Sequence, residues 1–225
     1  MEHLQIAGAI CKWFWPVRAA SGVDLRYDEP VTQDDLFGAA PAGSELPDGM
    51  RFQEDFLSPA QEAGLIARIE QLPLAPMQYQ QYEARRRVVN YGGKYDYSAQ
   101  KLRPAEPLPD WLTPLREQAG AWAGIAPEDF VQALIAEYTP GTPLGWHRDV
   151  PDYEDIVGIS LLNDALLKFR PYPHVVGVKA EVRKLVVPPR SIYLLHGAAR
   201  WQWQHSVPAV KVLRYSITLR TARAR

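Results

Sequence analysis

The chain has a single cysteine, Cys11, among its 225 residues. That excludes an internal disulfide framework and any zinc site built from several thiolates. No apolar run approaches the roughly 20 residues that a membrane helix needs. The N-terminus lacks the basic segment and continuous apolar stretch of a secretory signal. Neither sign of charge is in excess: 25 Lys and Arg against 26 Asp and Glu leave a formal net charge of −1. Strong non-specific attraction to a phosphate backbone is therefore not a bulk property, although a local basic patch is compatible with this balance. Internal repeats and low-complexity tracts are also missing. The expectation is a cytoplasmic, monomeric protein with no membrane segment.

Seven Trp and eleven Tyr supply large apolar surfaces, many with a polar handle. The length suffices for one domain with a substantial core. Ala19-Ala20-Ser21-Gly22 and the stretch from Gly38 to Ser44 are loop-like, and Pro47-Asp48-Gly49 is a turn signal. Residues 1–50 are thus expected to form an irregular extension, and residues 51–225 the domain proper. Ser58-Pro59-Ala60-Gln61-Glu62 places serine at an N-cap and proline at the first helical position. Leu65, Ile66 and Ile69 supply an apolar face before Pro73 stops that helix. Arg86 to Tyr91 reads as a strand and Gly92-Gly93 as a turn. The proline-rich stretch 104–109 leads into a second helix from about Trp111 to Gly124.

From Phe130 onward short strands are separated by turns. The pattern predicts strands over 131–138, 155–162, 166–170, 175–182, 191–196 and 213–221, with breaks at Tyr138-Thr139-Pro140-Gly141 and Val187-Pro188-Pro189-Arg190. Two helices followed by strands give an α+β protein. Its second half is a double-stranded β-helix, or jelly roll, with the N-terminal helices packed on it.

Within that half, Gly145-Trp146-His147-Arg148-Asp149 carries two potential metal ligands. At i and i+2, His147 and Asp149 project to one side of an extended segment. A downstream histidine would complete two imidazoles and one carboxylate, the facial set that binds non-haem Fe(II) and leaves positions open for oxygen and a second ligand. Two histidines lie between Asp149 and the next polar strand. His196 ends the apolar run Ile192-Tyr193-Leu194-Leu195, and His205 sits in Trp203-Gln204-His205-Ser206-Val207-Pro208. His3 and His174 are far from the motif. In the C-terminal strand, Arg214, Ser216, Thr218 and Arg220 alternate with Tyr215, Ile217 and Leu219, so the polar groups share one face. That face is either half-exposed to water or turned inward to bind a dicarboxylate, a task suited to arginine's planar, permanently charged fork. A metal-free cupin-like domain with a structural His147 is the plainer alternative.

Taken together, Leu134-Ile135-Ala136-Glu137-Tyr138-Thr139-Pro140-Gly141, Trp146-His147-Arg148-Asp149, the His205 segment and the strand from Arg214 to Arg220 resemble the AlkB-like family of Fe(II)- and 2-oxoglutarate-dependent dioxygenases. The resemblance runs from about Phe52 to Thr221. It implies iron ligation by His147, Asp149 and His205, and prefers His205 to His196. It implies that Tyr138, Arg214, Ser216 and Arg220 bind 2-oxoglutarate, Arg214 at the far carboxylate and Arg220 toward the metal-bound end. Two positions depart from the family: Ala136 stands where asparagine is common before Glu137, and Ser216 replaces the asparagine of R-x-N-x-T-x-R. Both shorten or remove a polar contact to the cosubstrate, and neither removes a metal ligand.

Family membership implies oxidative decarboxylation of 2-oxoglutarate with molecular oxygen, coupled to hydroxylation of a C–H bond. When that carbon is attached to nitrogen, the hemiaminal collapses to formaldehyde. Arg85-Arg86-Arg87 and the following Asn90-Tyr91-Gly92-Gly93-Lys94-Tyr95 resemble the family's base-recognition segment. Arg86 and Arg87 are expected to hold phosphates of alkylated DNA or RNA, and Tyr91 or Tyr95 to stack on an extruded base. A solvated charge run beside core tyrosines is the plain alternative. Val150-Pro151-Asp152 lacks the second acidic group that base-repair members place two positions after the metal motif. An oxygenase of protein or small molecules, or a metal-binding module with impaired turnover, therefore stays open as a second reading.

Overall fold

The computed structural model describes residues 46–224 apart from 80–81, 97–100, 176 and 178–180. Cys11, His3, the loop-like segments 19–22 and 38–44, and so most of the expected extension, lie outside the described residues. The strands are β1 Met50–Gln53, β2 Ala75–Tyr79, β3 Tyr82–Tyr91, β4 Gly93–Asp96, β5 Lys101–Pro104, β6 Phe130–Tyr138, β7 Leu144–His147, β8 Tyr153–Leu161, β9 Ala165–Pro171, β10 Arg183–Val187, β11 Ile192–Leu195, β12 Trp203–Val207 and β13 Arg214–Ala222. They form a seven-stranded sheet in the order β1-β11-β8-β13-β6-β3-β2, a four-stranded sheet β10-β9-β12-β7, and a β4-β5 hairpin. Every pairing is antiparallel.

Among the described residues three α-helices accompany them: α1 Pro59–Ile69, α2 Thr113–Ala123 and the short α3 Gly197–Trp201. Helix α1 begins as its sequence dictates. Ser58 accepts from the Gln61 backbone and Gln61 returns a bond to the Ser58 backbone, a reciprocal cap that satisfies two orphan N–H groups. Helix α2 ends at Gly124, whose φ of +76° suits glycine.

The large sheet is buried on both faces. Ile69 of α1, and Leu115 and Ala119 of α2, share one core with Ala133, Ile135, Val157, Ile159, Ile217 and Leu219. Leu134, Ala136, Tyr138 and Ile156 on the opposite face share a second core with Leu167, Phe169, Val187 and Val207 of the small sheet. The period of two along β6 and β13 distributes residues between these cores. This is the jelly-roll sandwich expected from the strand pattern. Among the described residues no helix is long and apolar enough to cross a membrane.

One expectation changes. The strand read over 175–182 is absent at the described positions of that stretch, and the strand pairing with β9 is β10, at 183–187. Valine content misleads there. Val175 and Val182 are exposed, whereas Leu185 and Val187 reach the inter-sheet core. Met50 opens β1 opposite Leu195, and the carbonyls of Asp48 and Gly49 accept from Ala199 and His196.

Candidate active site

Strands β7 and β12 are neighbours in the small sheet, and their register sets His205 directly opposite His147. The two imidazole centroids are 4.2 Å apart. Chain direction then brings Asp149, two residues beyond the end of β7, into the same corner. The ligand atoms of His147, Asp149 and His205 all lie within 4.8 Å of one another, and these residues could hold a metal ion. His196 is not among them. Its side chain is 60% exposed and its Nδ1 lies 2.5 Å from Asp155 Oδ1, at the N-cap of α3. His174 also stands outside the cluster.

The protonation states suit a divalent ion. Burial pushes the His147 and His205 pKa values down, and for His205 the neighbouring His147 adds to it, giving about 3. Both rings are therefore neutral at physiological pH, with lone pairs to offer. Since Gly145 O can only accept, His147 Nδ1 donates to it at 2.9 Å, which leaves Nε2 as its free ligand atom. Burial would raise the Asp149 pKa, but Arg220 and then the two histidines outweigh it and hold the carboxyl well below the usual range. Two neutral imidazoles and one carboxylate facing a common space are the donor set of a facial Fe(II) site.

Two arginines fix Asp149 from different sides. Arg220 on β13 donates through Nε and Nη2 to Oδ1, and through Nη1 to Gln132 Oε1 at 2.6 Å. Gln132 in turn donates to Asn90 Oδ1 at 3.1 Å. Arg200 on α3 is 2% exposed and holds the backbone instead. Its Nη2 donates to the carbonyls of Asp149, Val150 and Tyr153 at 3.1, 2.8 and 2.9 Å. A buried guanidinium with several carbonyl acceptors locks the turn after β7 into one shape.

The cluster opens into a cavity between the sheets. Arg214, Ser216, Thr218 and Arg220 all line it, so the polar face of β13 points inward and not to water. Arg214 is buried, stands 4.9 Å from the Tyr138 ring centroid, and donates to Ser160 Oγ at 3.0 Å. Its Nε has no hydrogen-bond partner. Arg86 enters from β3 and donates to Tyr138 Oη at 3.3 Å. Burial would raise the Tyr138 pKa, yet Arg86 and Arg214 together hold it below its ordinary value. The cavity walls thus bring three cations, Arg86, Arg214 and Arg220, with Asp149 as the only carboxylate among the lining residues and paired to Arg220, which leaves Arg86 and Arg214 in excess. An orphaned buried donor beside that excess of positive charge fits a small dianion such as 2-oxoglutarate.

The residues expected at the substrate surface separate. Consecutive strand residues face opposite ways. Arg86 therefore lines the cavity, while Arg87 pairs with Glu137 at 2.8 Å and Arg85 reaches Gly141 O. The three arginines are not one phosphate-binding face. Tyr91 packs against the helix-side core, and Tyr95 lies on β4 of the hairpin.

Sequence reasoning missed Tyr193, Gln132, Ser160 and Arg200. Tyr193 lines the cavity, and its ring occupies the space where a Cβ on Gly158 would stand, 2.1 Å from Tyr193 Cζ. Gly158 is its direct cross-strand partner. A glycine inside an apolar strand was the available signal.

The family model of the 2OG-Fe(II) oxygenase superfamily matches residues 49–220. The alkylated DNA repair protein ALKBH8 homolog of Arabidopsis thaliana is 29% identical over 186 residues, covering 73% of this chain and 52% of that protein. The N6-methyladenosine RNA demethylase ALKBH of Cryphonectria parasitica is 34% identical over 136 residues, covering 54% of this chain and 57% of that protein. The chain thus spans about half the length of both. An uncharacterized mimivirus protein, L905, is 27% identical over 168 residues, 72% of this chain and 74% of its own. The solved structure of OsALKBH1 superposes with a TM-score of 0.63 at 16% identity, covering 80% of this chain and 99% of that one, a likeness of fold. The chain belongs to the 2OG-Fe(II) oxygenase superfamily and is an AlkB-like dioxygenase that depends on Fe(II), 2-oxoglutarate and molecular oxygen.

Proposed function

We propose that the protein oxidatively demethylates N-alkylated bases of DNA or RNA, with His147, Asp149 and His205 holding the iron. The observation that carries the substrate class is the similarity, over 73% of the chain, to a protein named for repair of alkylated DNA, joined by the fungal RNA demethylase. Fe(II) and 2-oxoglutarate, held by these residues, would supply the oxidation: molecular oxygen would place one atom in a C–H bond of the substrate and the other in succinate as the oxo acid loses CO2. The protein's own part is placement and exclusion. Arg214, Ser216 and Tyr138 take the far carboxylate of the cosubstrate, and Arg220 keeps Asp149 ionised and turned toward the metal. Leu134, Leu144, Ile156, Leu167 and Val207 make the apolar wall that keeps water out. Arg86, at the same cavity, and Tyr95, on the β4-β5 hairpin, are the side chains for the target base. Hydroxylation of an N-methyl group then releases formaldehyde from the hemiaminal and restores N–H.

The test is succinate formation with N-methylated single-stranded DNA and RNA, compared with the unmethylated strands and with peptide and metabolite panels. Stimulation by methylated oligonucleotides, with formaldehyde in step, supports the reading. Stimulation by a peptide or metabolite alone moves the substrate to that class.

A further inference from the structure

The four strands of the small sheet contain no aspartate or glutamate. Their inward residues include Leu167, Phe169, Leu185, Val187, His205 and Val207. Alternation therefore sends Lys168, Arg170, Lys184 and Gln204 to the other face, the reverse side of the strands that carry His147 and His205. Lys184 and Lys168 stand directly opposite each other across the β10–β9 ladder. Arg170 stands opposite Gln204, donates to its Oε1 at 2.8 Å, and lies 4.6 Å from the Trp146 ring centroid. At one end of the sheet Arg148 stacks on Tyr172 at 3.7 Å.

Among the described residues none of Lys168, Lys184, Arg170 and Arg148 has a carboxylate within 4.0 Å. By contrast, Arg183 pairs with Glu181, and Arg87 and Arg190 also have acidic partners. Like charges directly opposite on an antiparallel pair destabilise it, so the Lys184–Lys168 rung is tolerated at a cost that an anion would relieve. The net charge of −1 makes this a local feature and not a reflection of bulk composition. Cations interleaved with aromatic rings match a polyanion that also offers flat π faces. Among the described residues Arg170 is bonded to Gln204 through Nε alone, so its Nη groups remain as donors for phosphate oxygens.

We propose that this outer face is a docking platform for the phosphate backbone of single-stranded nucleic acid, anchored by Lys168, Lys184 and Arg170. The proposal rests on the nucleic-acid reading above and adds a second contact surface outside the catalytic cavity. Its role is to hold the strand while another part of it reaches the cavity, so it contributes affinity and no sequence preference.

The experiment titrates fluorescent single-stranded DNA and RNA against the wild-type chain and the Lys168→Gln/Lys184→Gln variant at several salt concentrations. Melting temperature, iron content and substrate-free succinate formation are measured on both proteins. The variant is expected to bind at least about tenfold more weakly at low salt. The slope of log affinity against log salt should shrink by about 1.4, near 0.7 for each lost cation on a single strand. Iron content and substrate-free succinate formation should not move, and the melting temperature should hold or rise, because the variant removes the Lys184–Lys168 repulsion. Equal affinity and slope in wild type and variant overturn the platform and leave the demethylase reading intact. A wild-type chain that binds no oligonucleotide at low salt, or binds anionic lipid vesicles instead, overturns the platform. Turnover confined to a peptide or metabolite would in addition remove the reading on which it rests.

Discussion

Arg220 directs two donors, Nε and Nη2, at the same oxygen of Asp149, at 2.8 and 2.5 Å to Oδ1. The other oxygen, Oδ2, faces His205 Nε2 at 3.7 Å, beyond hydrogen-bonding reach. The carboxylate is thereby divided: one oxygen is tied to β13 and the other is left for the metal. Arg220→Ala should release that division. Iron affinity is expected to fall about ten- to a hundredfold, as for other partners that orient a ligand, while Arg220→Lys recovers part of it. Metal titration against a competing chelator reads this directly, and unchanged iron affinity in Arg220→Ala would remove the positioning role.

Arg214 is expected to act on the cosubstrate and not on the iron. Losing a charge-assisted pair costs roughly 1.5–3 kcal/mol, or about ten- to a hundredfold in affinity. Arg214→Ala should raise the 2-oxoglutarate requirement by that factor with iron content unchanged, and Arg214→Lys should restore only part. Identical 2-oxoglutarate midpoints in wild type and Arg214→Ala would mean that the strand does not bind the cosubstrate.

The turn after β7 should depend on Arg200. Arg200→Ala leaves three carbonyls without their donor, and the expected loss of unfolding free energy is about 3 kcal/mol. Denaturant unfolding measures it. Iron affinity should fall in the same variant, because Asp149 is fixed through its backbone by that contact. A stable variant with wild-type iron affinity would contradict both.

Gly158 and Tyr193 should be energetically coupled. Gly158→Ala forces a Cβ into the Tyr193 ring, an overpacking worth about 1–3 kcal/mol. In a Tyr193→Ala background the same change should cost markedly less, and the double-mutant cycle should return a coupling of about 1 kcal/mol or more. Additive effects would place the ring elsewhere in solution.

Local spacing made the His147–Asp149 pair and the polar face of β13 legible. His147 and Asp149 are two residues apart, and the alternation from Arg214 to Arg220 survives in the structure because both faces of that strand are buried. The family pattern, not the spacing, separated His205 from His196, and the register of β12 against β7 agrees with it. Arg86 and Arg87, both expected at phosphates, point to opposite faces of β3, as strand parity requires of neighbours. Strand β7 is four residues long and β12 is five, too short for a period to show. Tyr193, Ser160 and Gln132 reach the site through cross-strand register, which no local window contains. The stretch 175–182 has the composition of a strand, but its described valines, Val175 and Val182, are exposed, whereas Leu185 and Val187 of 183–187 reach the core.

Iron stoichiometry in matched variants tests the central claim most directly. After anaerobic loading with Fe(II) and removal of excess metal, the wild-type chain and His196→Ala should each retain about one iron per chain, while His147→Ala, Asp149→Ala and His205→Ala retain little. Full iron in His205→Ala together with loss in His196→Ala would contradict the assignment of the site.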